Sequence, residues 1–269
     1  MLNVLEHNFA TQPSKITVLS QKVDSEIEAC IIICQKSDKD RLKMVNFKGA
    51  HFPPEIILMG IRWYVAYPLS YRHVEELLKE RGIEVDHATL NRWVVKYSPE
   101  LEKSFCSCKK TVGKSWRMDE TYIRVKGKWV YLYRAVDKAG QTVDFYLSQT
   151  RDLPAAEAFF KKAIDSCGVP DKVNMDKSGA NLAGLNAIND ALPEEEKIEI
   201  RQVKYLNNLV EQDHRAIKRI VKPMLGFKSF SSAAATLAGI ELHHMLKKGQ
   251  MITANQTLPV WQQFYALAA

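Results

Sequence analysis

The feature that most constrains the fold is a run of three strand patterns in the middle of the chain. The segments SWRMDETYIRVKG and QTVDFYLSQT alternate apolar and polar residues, and the segment between them, KWVYLYRAVDKAG, is rich in β-branched and aromatic residues. The connections KGK and KAGQ are short and contain glycine, as β-hairpin turns do. Three consecutive strands joined by hairpins are therefore predicted between Ser115 and Thr150.

Helix and strand patterns alternate after these three strands. We predict, in order, a helix over Pro154–Cys167 ended by Gly168, a strand over Lys172–Asp176, a helix from SGAN to Ala191, a strand over Ile198–Val203 and a last helix that follows Tyr205. The order βββαβαβα predicts an α/β fold (α+β mixed sheet) with helices on both faces of the sheet.

The last helix of this series carries two stripes. At 100° per residue, the charged residues form one stripe and the apolar residues form another about 100° away. The charged stripe consists of Glu211, Arg215, Lys218 and Lys222, and the apolar stripe of Val210, Ile217, Val221 and Met224. The apolar stripe is expected to face a core. The charged stripe fits either an ordinary solvated helix face with i, i+4 ion pairs or a surface that meets an anionic partner.

Three short helices are predicted before the sheet. The first begins at the two prolines Pro53 and Pro54, the second covers Tyr71–Arg81, and the third covers His87–Tyr97 with Asp86 as its N-cap. The third helix is predicted to point four polar or basic residues away from the core: Thr89, Asn91, Arg92 and Lys96. This pattern is typical of a helix-turn-helix whose third helix reads DNA. A plain three-helix bundle used for packing or dimerisation is the alternative.

Charge and cysteine content narrow the class of protein. The net charge is +7, and residues 201–250 contain nine Lys or Arg against three Asp or Glu, which favours a polyanionic partner, nucleic acid before membrane. The longest apolar run, Ala29–Cys34, is far too short to cross a membrane. The odd number of cysteines and the lack of a signal peptide favour free thiols and a cytoplasmic protein.

Three carboxylates occupy corresponding places in the predicted fold. Asp119 lies within the first strand, Asp176 ends the fourth strand, and Glu211 lies near the start of the last helix. If strands one and four are neighbours, the two aspartates converge, and a helix packed across the sheet adds the glutamate. Three carboxylates suit two Mg²⁺ (or Mn²⁺) ions that carry out phosphoryl transfer. The stripe of Arg215, Lys218 and Lys222 would then hold DNA phosphates.

Two neighbours of these carboxylates need separate treatment. Glu120 is next to Asp119, but strand alternation directs it to the opposite face of the sheet, so we leave it outside the metal site. His214 lies 60° from Glu211 around the helix, and it fits contact with substrate and a packing or capping role about equally well.

The order of elements and several local sequences carry a family resemblance. The sequences FKGAHFP, SYRHVEELLKERGIEVDHATLNRWV, DKSGAN, RQVKYLNNLVEQDH and KPMLGFKSF, together with the three strand segments, resemble the insertion-sequence-six family of bacterial DDE transposases, whose catalytic core is ribonuclease H-like. The resemblance runs from about Met44 to Gln250. It implies Asp119, Asp176 and Glu211 as catalytic, metal-binding residues, and Lys218 as the basic residue seven positions after the glutamate.

The resemblance also implies an activity and partners. It implies binding of terminal inverted repeats, cutting at the ends of the element and joining of the 3′-hydroxyl to target DNA. Joining two DNA ends implies at least a homodimer. Two alternatives remain at this point: a transposase-derived DNA-binding protein with a silent catalytic core, and a nonspecific ribonuclease H-like nuclease. The intact triad favours the active transposase over the silent one.

The expected domain organisation has five parts. These are a poorly ordered N-terminal extension (1–46), a helix-turn-helix domain (47–103), a linker (104–114) within the polar stretch Ser98–Lys114, a ribonuclease H-like catalytic domain (115–250) and a C-terminal tail (251–269).

Overall fold

A computed structural model describes residues 45–253 and 258–268. The predicted N-terminal extension, apart from its last two residues, therefore lies outside the described residues. The helices are α1 (Pro54–Ala66), α2 (Tyr71–Lys79), α3 (His87–Cys106), α4 (Leu153–Cys167), α5 (Gly179–Asn189), α6 (Asn208–Val221), α7 (Phe230–Lys247) and α8 (Val260–Ala266). The strands are β1 (Ser115–Val125), β2 (Lys128–Asp137), β3 (Thr142–Ser148), β4 (Lys172–Asn174) and β5 (Glu199–Arg201).

The five strands form one mixed sheet in the order β3-β2-β1-β4-β5. The pairs β1–β2 and β2–β3 are antiparallel, as two short hairpins require, whereas β4 is parallel to both β1 and β5. Strands one and four are thus neighbours, as predicted. The predicted fold class, an α/β fold with a mixed sheet after a helical region, is confirmed.

Each face of the sheet is covered by helices with a core of its own. On one face, Trp116 and Met118 of β1 pack with α4 and α5, where Phe159, Phe160 and Leu185 are fully buried. On the other face, β1 contributes Ile123 and Val125, which pack with α6 and α7. The alternation along β1 therefore serves two buried faces, and the predicted placement of helices on both sides is confirmed.

The second core continues without interruption into the N-terminal helices. The long helix α7 packs on the sheet side and also contacts α1 and α3. The contact is close: a Cβ on Gly239 of α7 would lie 2.8 Å from Val65 Cγ1 and 2.8 Å from Ser98 Oγ. The helical region and the catalytic region, predicted as separate domains, share this core.

One segment differs from its prediction, and the C-terminal tail is packed. The stretch Ser98–Lys114 was expected to be a linker, but α3 continues through its first nine residues to Cys106. Leu101 and Phe105 extend the buried stripe at spacings of four residues and are fully buried against α7, which outweighs Pro99 within the helix. In the C-terminal tail, α8 packs on α1 and α7 and buries Phe264 completely.

Two of the helices, α3 and α4, begin where the sequence supplies an aspartate as N-cap. The Asp86 carboxylate accepts hydrogen bonds from the backbone N–H groups of Ala88 (2.8 Å) and Thr89 (3.0 Å) at the start of α3. The Asp152 carboxylate accepts one from Ala155 N (3.1 Å) at the start of α4. Both aspartates thus satisfy amides that the helix itself leaves unpaired. No helix in the described residues is long and apolar enough to cross a membrane.

Candidate active site

The ends of two neighbouring strands bring Asp119 and Asp176 together. Strand β4 pairs with β1 only at positions 115–117 of β1, so the β1 edge is free of β4 from Asp119 onward. Asp176 follows the last residue of β4 by two positions and lies beside that free edge. One oxygen from each aspartate and one from Glu120 lie within 4.8 Å of one another. The predicted convergence of the two aspartates is therefore present.

Glu120 is also part of this cluster, so its expected separation from the other carboxylates is wrong. Alternation does place the Glu120 side chain on the face of Trp116 and Met118, opposite Asp119. Because β4 has already ended, no strand separates the two faces at this edge. The side chains from opposite faces can then converge around it.

A single arginine, Arg151, neutralises part of the carboxylate cluster. Its Nε and Nη2 atoms donate to the two Glu120 oxygens at 3.2 and 3.3 Å, and Nη2 also donates to Asp176 Oδ2 at 3.0 Å. The Glu120 side chain is only 3% exposed, whereas that of Asp176 is 42% exposed. Burial raises the pKa of Glu120, while hydrogen bonds from Asn181 and Arg151 oppose this. Glu120 is thus a buried carboxylate paired with a partly exposed arginine. Asp176 Oδ1 accepts from Ser178 N at 3.0 Å and from Asn181 Nδ2 at 3.4 Å, yet its side chain remains open to solvent.

His214 of α6 connects Asp119 to the buried Arg134 of β2. Its Nδ1 lies 3.2 Å from Arg134 Nη1, and its Nε2 lies 3.3 Å from Asp119 Oδ2. A guanidinium can only donate, so Nδ1 must accept and Nε2 must carry the proton. His214 is therefore a neutral donor to one oxygen of Asp119, and the other oxygen is left for a ligand. Of its two expected roles, the packed one is what the structure shows.

Arg134 is the centre of a buried ionic network. Its Nε and Nη2 donate to the two oxygens of Glu241 at 2.6 and 3.0 Å, and Nη2 also donates to Asp213 Oδ2 at 2.7 Å. Asp213 Oδ1 in turn contacts His244 (2.8 Å) and Lys248 (2.7 Å) of the α7 region. Burial would raise the pKa of Asp213, but these cationic and hydrogen-bonding partners bring it well below its ordinary value. The network fixes β2, α6 and α7 relative to one another directly behind Asp119.

A second group of contacts fixes the start of α6. Asn174 Nδ2, in β4, donates to Asn207 Oδ1 at 2.5 Å, and Asn207 Nδ2 donates to the Met118 carbonyl of β1 at 3.4 Å. Val203 N donates to Asn174 Oδ1 at 3.1 Å. Helix α6 is thus attached to β1 at two points. Asn207 bonds Met118, the residue before Asp119, and His214 contacts Asp119 itself.

Glu211 lies between these two points of attachment along the chain. It is in the first turn of α6 as predicted, and its side chain is exposed. Glu211 does not join Asp119 and Asp176 in a set of oxygens within 4.8 Å. Glu211 is three residues before His214, which contacts Asp119, but its own carboxylate lies outside the cluster.

The rest of the charged stripe is exposed, as predicted. Arg215, Lys218 and Lys222 all lie on the solvent side of α6, whereas Val210, Ile217 and Val221 are buried. The stripe therefore runs from Glu211 along the helix as a continuous cationic surface.

Three of the four predicted DNA-reading residues of α3 share one surface. Thr89, Arg92 and Lys96 line an open cleft with His51. Arg92 Nη2 donates to Thr89 Oγ1 at 2.6 Å. Asn91 is not on this surface: it is half-buried and interacts with Tyr71 of α2. Measured around the helix from the buried Leu90, Asn91 lies at 100°, on the side toward α2. Thr89, Arg92 and Lys96 lie at 200–260° from Leu90.

Two functional candidates, Arg134 and Arg151, were missed by sequence reasoning. Arg134 interrupts the apolar strand segment KWVYLYRAVD between the buried residues Tyr133 and Ala135. A charge in such a position must be paired in the interior, so this pattern could have identified it. Arg151 follows β3 in a polar loop, and no comparable pattern marks it.

The donor set at the cluster suits a hard divalent cation. Asp119 and Asp176 each offer carboxylate oxygens, and the Asp176 side chain is open to solvent. Mg²⁺ is bound by one or two carboxylates together with water and substrate phosphates rather than by a complete protein cage. The two converging aspartates meet this requirement.

Comparison with known proteins identifies the family. A family model described as a DDE domain, of the IS240 transposase type, matches residues 113–250. The transposase for insertion sequence-like element IS431mec of Staphylococcus aureus is 40% identical over 205 residues, which cover 76% of this chain and 90% of that protein. The chain belongs to the DDE transposases of insertion sequences. The resemblance to the insertion-sequence-six family is thereby confirmed.

Two further similarities complete the comparison. The transposase for insertion sequence element IS257 in transposon Tn4003, also from Staphylococcus aureus, is again 40% identical and covers the same shares of both chains. Among solved structures, the HTLV-2 integrase catalytic core domain in complex with magnesium matches with a TM-score of 0.41 and 17% identity. That match covers 57% of this chain and 98% of the integrase core. As a member of the family, this transposase is a polynucleotidyl transferase of DNA transposition that depends on divalent metal ions.

Proposed function

We propose that this transposase binds the terminal inverted repeats of its element, cuts at their ends and joins the 3′-hydroxyl to target DNA. We further propose that Asp119, Asp176 and Glu211 hold two Mg²⁺ (or Mn²⁺) ions. The observation that carries this proposal is the convergence of Asp119 and Asp176 beyond the end of β4. Supporting Glu211 as the third ligand, the helix that carries it is attached to β1 on either side of it along the chain, through Asn207 and His214.

The choice between Glu211 and Glu120 as third ligand rests on their partners. Arg151 engages both oxygens of Glu120, whose side chain is 3% exposed, but only one oxygen of Asp176, whose side chain is 42% exposed. A cation at Glu120 would have to break that bidentate pair in a buried position. Glu211 is exposed on the first turn of α6. We assign Glu120 to positioning Arg151, and Glu211 to the metal centre.

The chain's own residues would divide the work of the reaction. When bound, the two ions would activate the attacking oxygen and stabilise the leaving oxygen of the phosphodiester. Neutral His214 holds one oxygen of Asp119 in place, so the other remains directed to the open side of the cluster. Arg215, Lys218 and Lys222 would bind the phosphates that flank the scissile bond, because they extend from Glu211 along the same exposed stripe.

The helical region would provide recognition. Thr89, Arg92 and Lys96 share one open cleft and would face the terminal repeats. We withdraw Asn91 from this set because its side chain contacts Tyr71. Joining two DNA ends requires at least a homodimer, and the bacterial cytoplasm would be its place of action.

A strand-transfer assay on DNA carrying the element's terminal repeats tests this function. Asp119→Asn, Asp176→Asn and Glu211→Gln should each abolish joining while DNA binding stays within a few-fold of the unchanged protein. Glu195→Gln is the matched control and should join DNA normally, because this exposed carboxylate precedes the start of β5, whereas Asp176 follows the end of the parallel strand β4. Joining retained by all three variants would refute the assignment. Joining absent even from the unchanged protein, with repeat binding intact, would favour the DNA-binding protein with a silent core. Cutting that needs no repeats would favour a nonspecific nuclease.

A further inference from the structure

A second surface next to the carboxylate cluster has the character of a binding site. Tyr122 and Trp129 of the β1–β2 hairpin are 51% and 62% exposed, and Leu225, after α6, is 87% exposed. These three residues line an open groove of about 840 Å³, here called the aromatic groove. Exposed apolar residues that cluster in this way mark interaction sites more often than isolated ones do. The proposed strand-transfer chemistry does not itself require this groove.

The two walls of the groove are held together by the backbone. Phe227 N donates to the Arg124 carbonyl, and Lys126 N donates to the Phe227 carbonyl, each at 2.8 Å. Gly226 has φ +104°, and a Cβ there would lie 3.0 Å from the Arg124 carbonyl oxygen. The loop after α6 is therefore attached to the hairpin in a conformation that favours glycine, and the groove is formed before any partner arrives.

The rings within the groove present an ordered apolar wall. The Tyr122 and Trp129 rings meet edge to face with centroids 6.4 Å apart, and Tyr131 lies 5.5 Å from Tyr122. Leu225 adopts a left-handed backbone conformation (φ 56°), which a side chain of this size rarely adopts. Such strained positions cluster at binding sites.

The charge around the apolar wall has one sign. Arg124, Lys218 and Lys222 line the groove, and no carboxylate is among its described lining residues. Lys126 and Lys128 of the hairpin turn are exposed nearby. An apolar ring surface surrounded by cations matches a nucleotide, whose base stacks and whose phosphate is anionic.

The groove lies at a suitable distance from the carboxylates. Tyr122 is three residues beyond Asp119, roughly 10 Å along the strand. Lys218 is seven residues beyond Glu211, roughly 10 Å along the helix. Both elements therefore lead from the cluster to the groove over the length of about three stacked nucleotides. In an intact duplex the base faces are covered by their neighbours, so only a base outside the stack can use this wall.

We propose that the aromatic groove binds one unstacked nucleotide of the DNA end, with its base on Trp129 and Tyr122 and its phosphate on Lys218 or Lys222. Leu225 forms the wall on the other side of the base. This inference rests on the proposed function, since it places the groove on the DNA that the carboxylates would cut.

A binding measurement without chemistry tests the groove independently of catalysis. The full chain is titrated, in buffer without divalent ions, into two labelled duplexes of equal length. One is fully paired, and the other has two unpaired nucleotides near one end, one of them 2-aminopurine. Trp129→Ala should weaken binding of the unpaired probe by about 5- to 150-fold, the range for loss of one stacked base. It should leave binding of the paired probe within about twofold and abolish quenching of the 2-aminopurine.

Two further variants make the result specific to the groove. Trp129→Phe keeps a ring and should retain most of the affinity and the quenching. Trp261→Ala removes another exposed tryptophan, which contacts Tyr265 in the C-terminal helix, and should change neither probe.

Three results would overturn the proposal. These are an equal loss for both probes, unchanged binding by Trp129→Ala, and a fall in self-association caused by Trp129→Ala in sedimentation, which would assign the groove to a second copy of the chain. Because no metal is present, a failure of the carboxylate assignment does not affect this measurement. If the triad variants lose strand transfer as expected but Trp129→Ala binds the unpaired probe as tightly as the unchanged protein, only the groove proposal is refuted.

Discussion

Replacing Arg134 with methionine tests the buried ionic network behind Asp119. The Arg134 side chain is fully buried and donates to both oxygens of Glu241, which is also fully buried. Asp213 would keep Lys248 and His244 as partners after the change. Glu241 is therefore the group that loses its compensation.

The magnitude follows from that uncompensated charge. Removing one partner of a buried ion pair costs about 3–5 kcal/mol, because the other charge stays in the interior. A domain of ordinary stability has about 5–15 kcal/mol in total, so Arg134→Met should remain folded in water but unfold at a much lower urea concentration. Replacing both partners with apolar residues removes the buried charge altogether, so Arg134→Met/Glu241→Met should recover most of the loss.

Urea unfolding at pH 7, followed by circular dichroism, measures both the loss of stability in Arg134→Met and its recovery in the double variant. The single and double variants and Glu241→Met together form a double-mutant cycle. A cost below about 1 kcal/mol for Arg134→Met, or a double variant that is no more stable than the single one, would show that the network does not stabilise the fold in this way.

Two further predictions concern acid stability and packing. Burial and neighbouring cations lower the pKa of His243 from 6.5 to about 3, so its contribution to stability is complete above pH 6.5 and is lost as the pH falls toward 3. Between pH 6.5 and 3, the free energy of unfolding of the unchanged protein should fall by up to about 1.4 kcal/mol per pH unit more than that of His243→Gln. His51→Gln, at an exposed histidine, is the control and should show the pH dependence of the unchanged protein. Gly239→Ala should lower stability by about 1–3 kcal/mol in thermal unfolding, since its Cβ would lie 2.8 Å from Ser98 Oγ. Gly179→Ala should not lower stability, because its added Cβ meets open space. Equal melting temperatures for the two variants would contradict the close contact of α7 with α3.

Much of the fold follows from local patterns in the sequence. The three strands with hairpin turns were predictable because alternation and short glycine-containing turns are properties of neighbouring residues. The two stripes of α6 were predictable for the same reason, and Val210 and Ile217 are buried while Glu211 and Lys218 are exposed. The positions of Asp119 and Asp176 followed from one further assumption, that strands one and four are neighbours.

The predictions for α3 were wrong where contacts with distant parts of the chain, rather than local sequence patterns, decide the structure. The continuation of α3 depends on burial of Leu101 and Phe105 against α7, a helix more than a hundred residues later in the chain. The half-buried position of Asn91, away from the cleft of Thr89, Arg92 and Lys96, depends on Tyr71 of another helix. Spacing alone could not reveal either partner.

Glu120 illustrates the limit of strand alternation. Alternation correctly assigns it to the face opposite Asp119, yet both carboxylates join one cluster because β4 is only three residues long. The length of a neighbouring strand decides whether the two faces remain separate, and the prediction of Lys172–Asp176 made that strand too long.

The most direct test of the metal-centre assignment compares strand-transfer rates of Glu211→Gln and Glu120→Gln over a range of Mg²⁺ concentrations. If Glu211 is a metal ligand and Glu120 positions Arg151, Glu120→Gln should lose about 10- to 100-fold, as loss of an outer-sphere partner does. Glu211→Gln should then show no joining at any Mg²⁺ concentration. The reverse order, with Glu120→Gln inactive and Glu211→Gln still joining DNA, would contradict the proposed centre and assign the third carboxylate to Glu120.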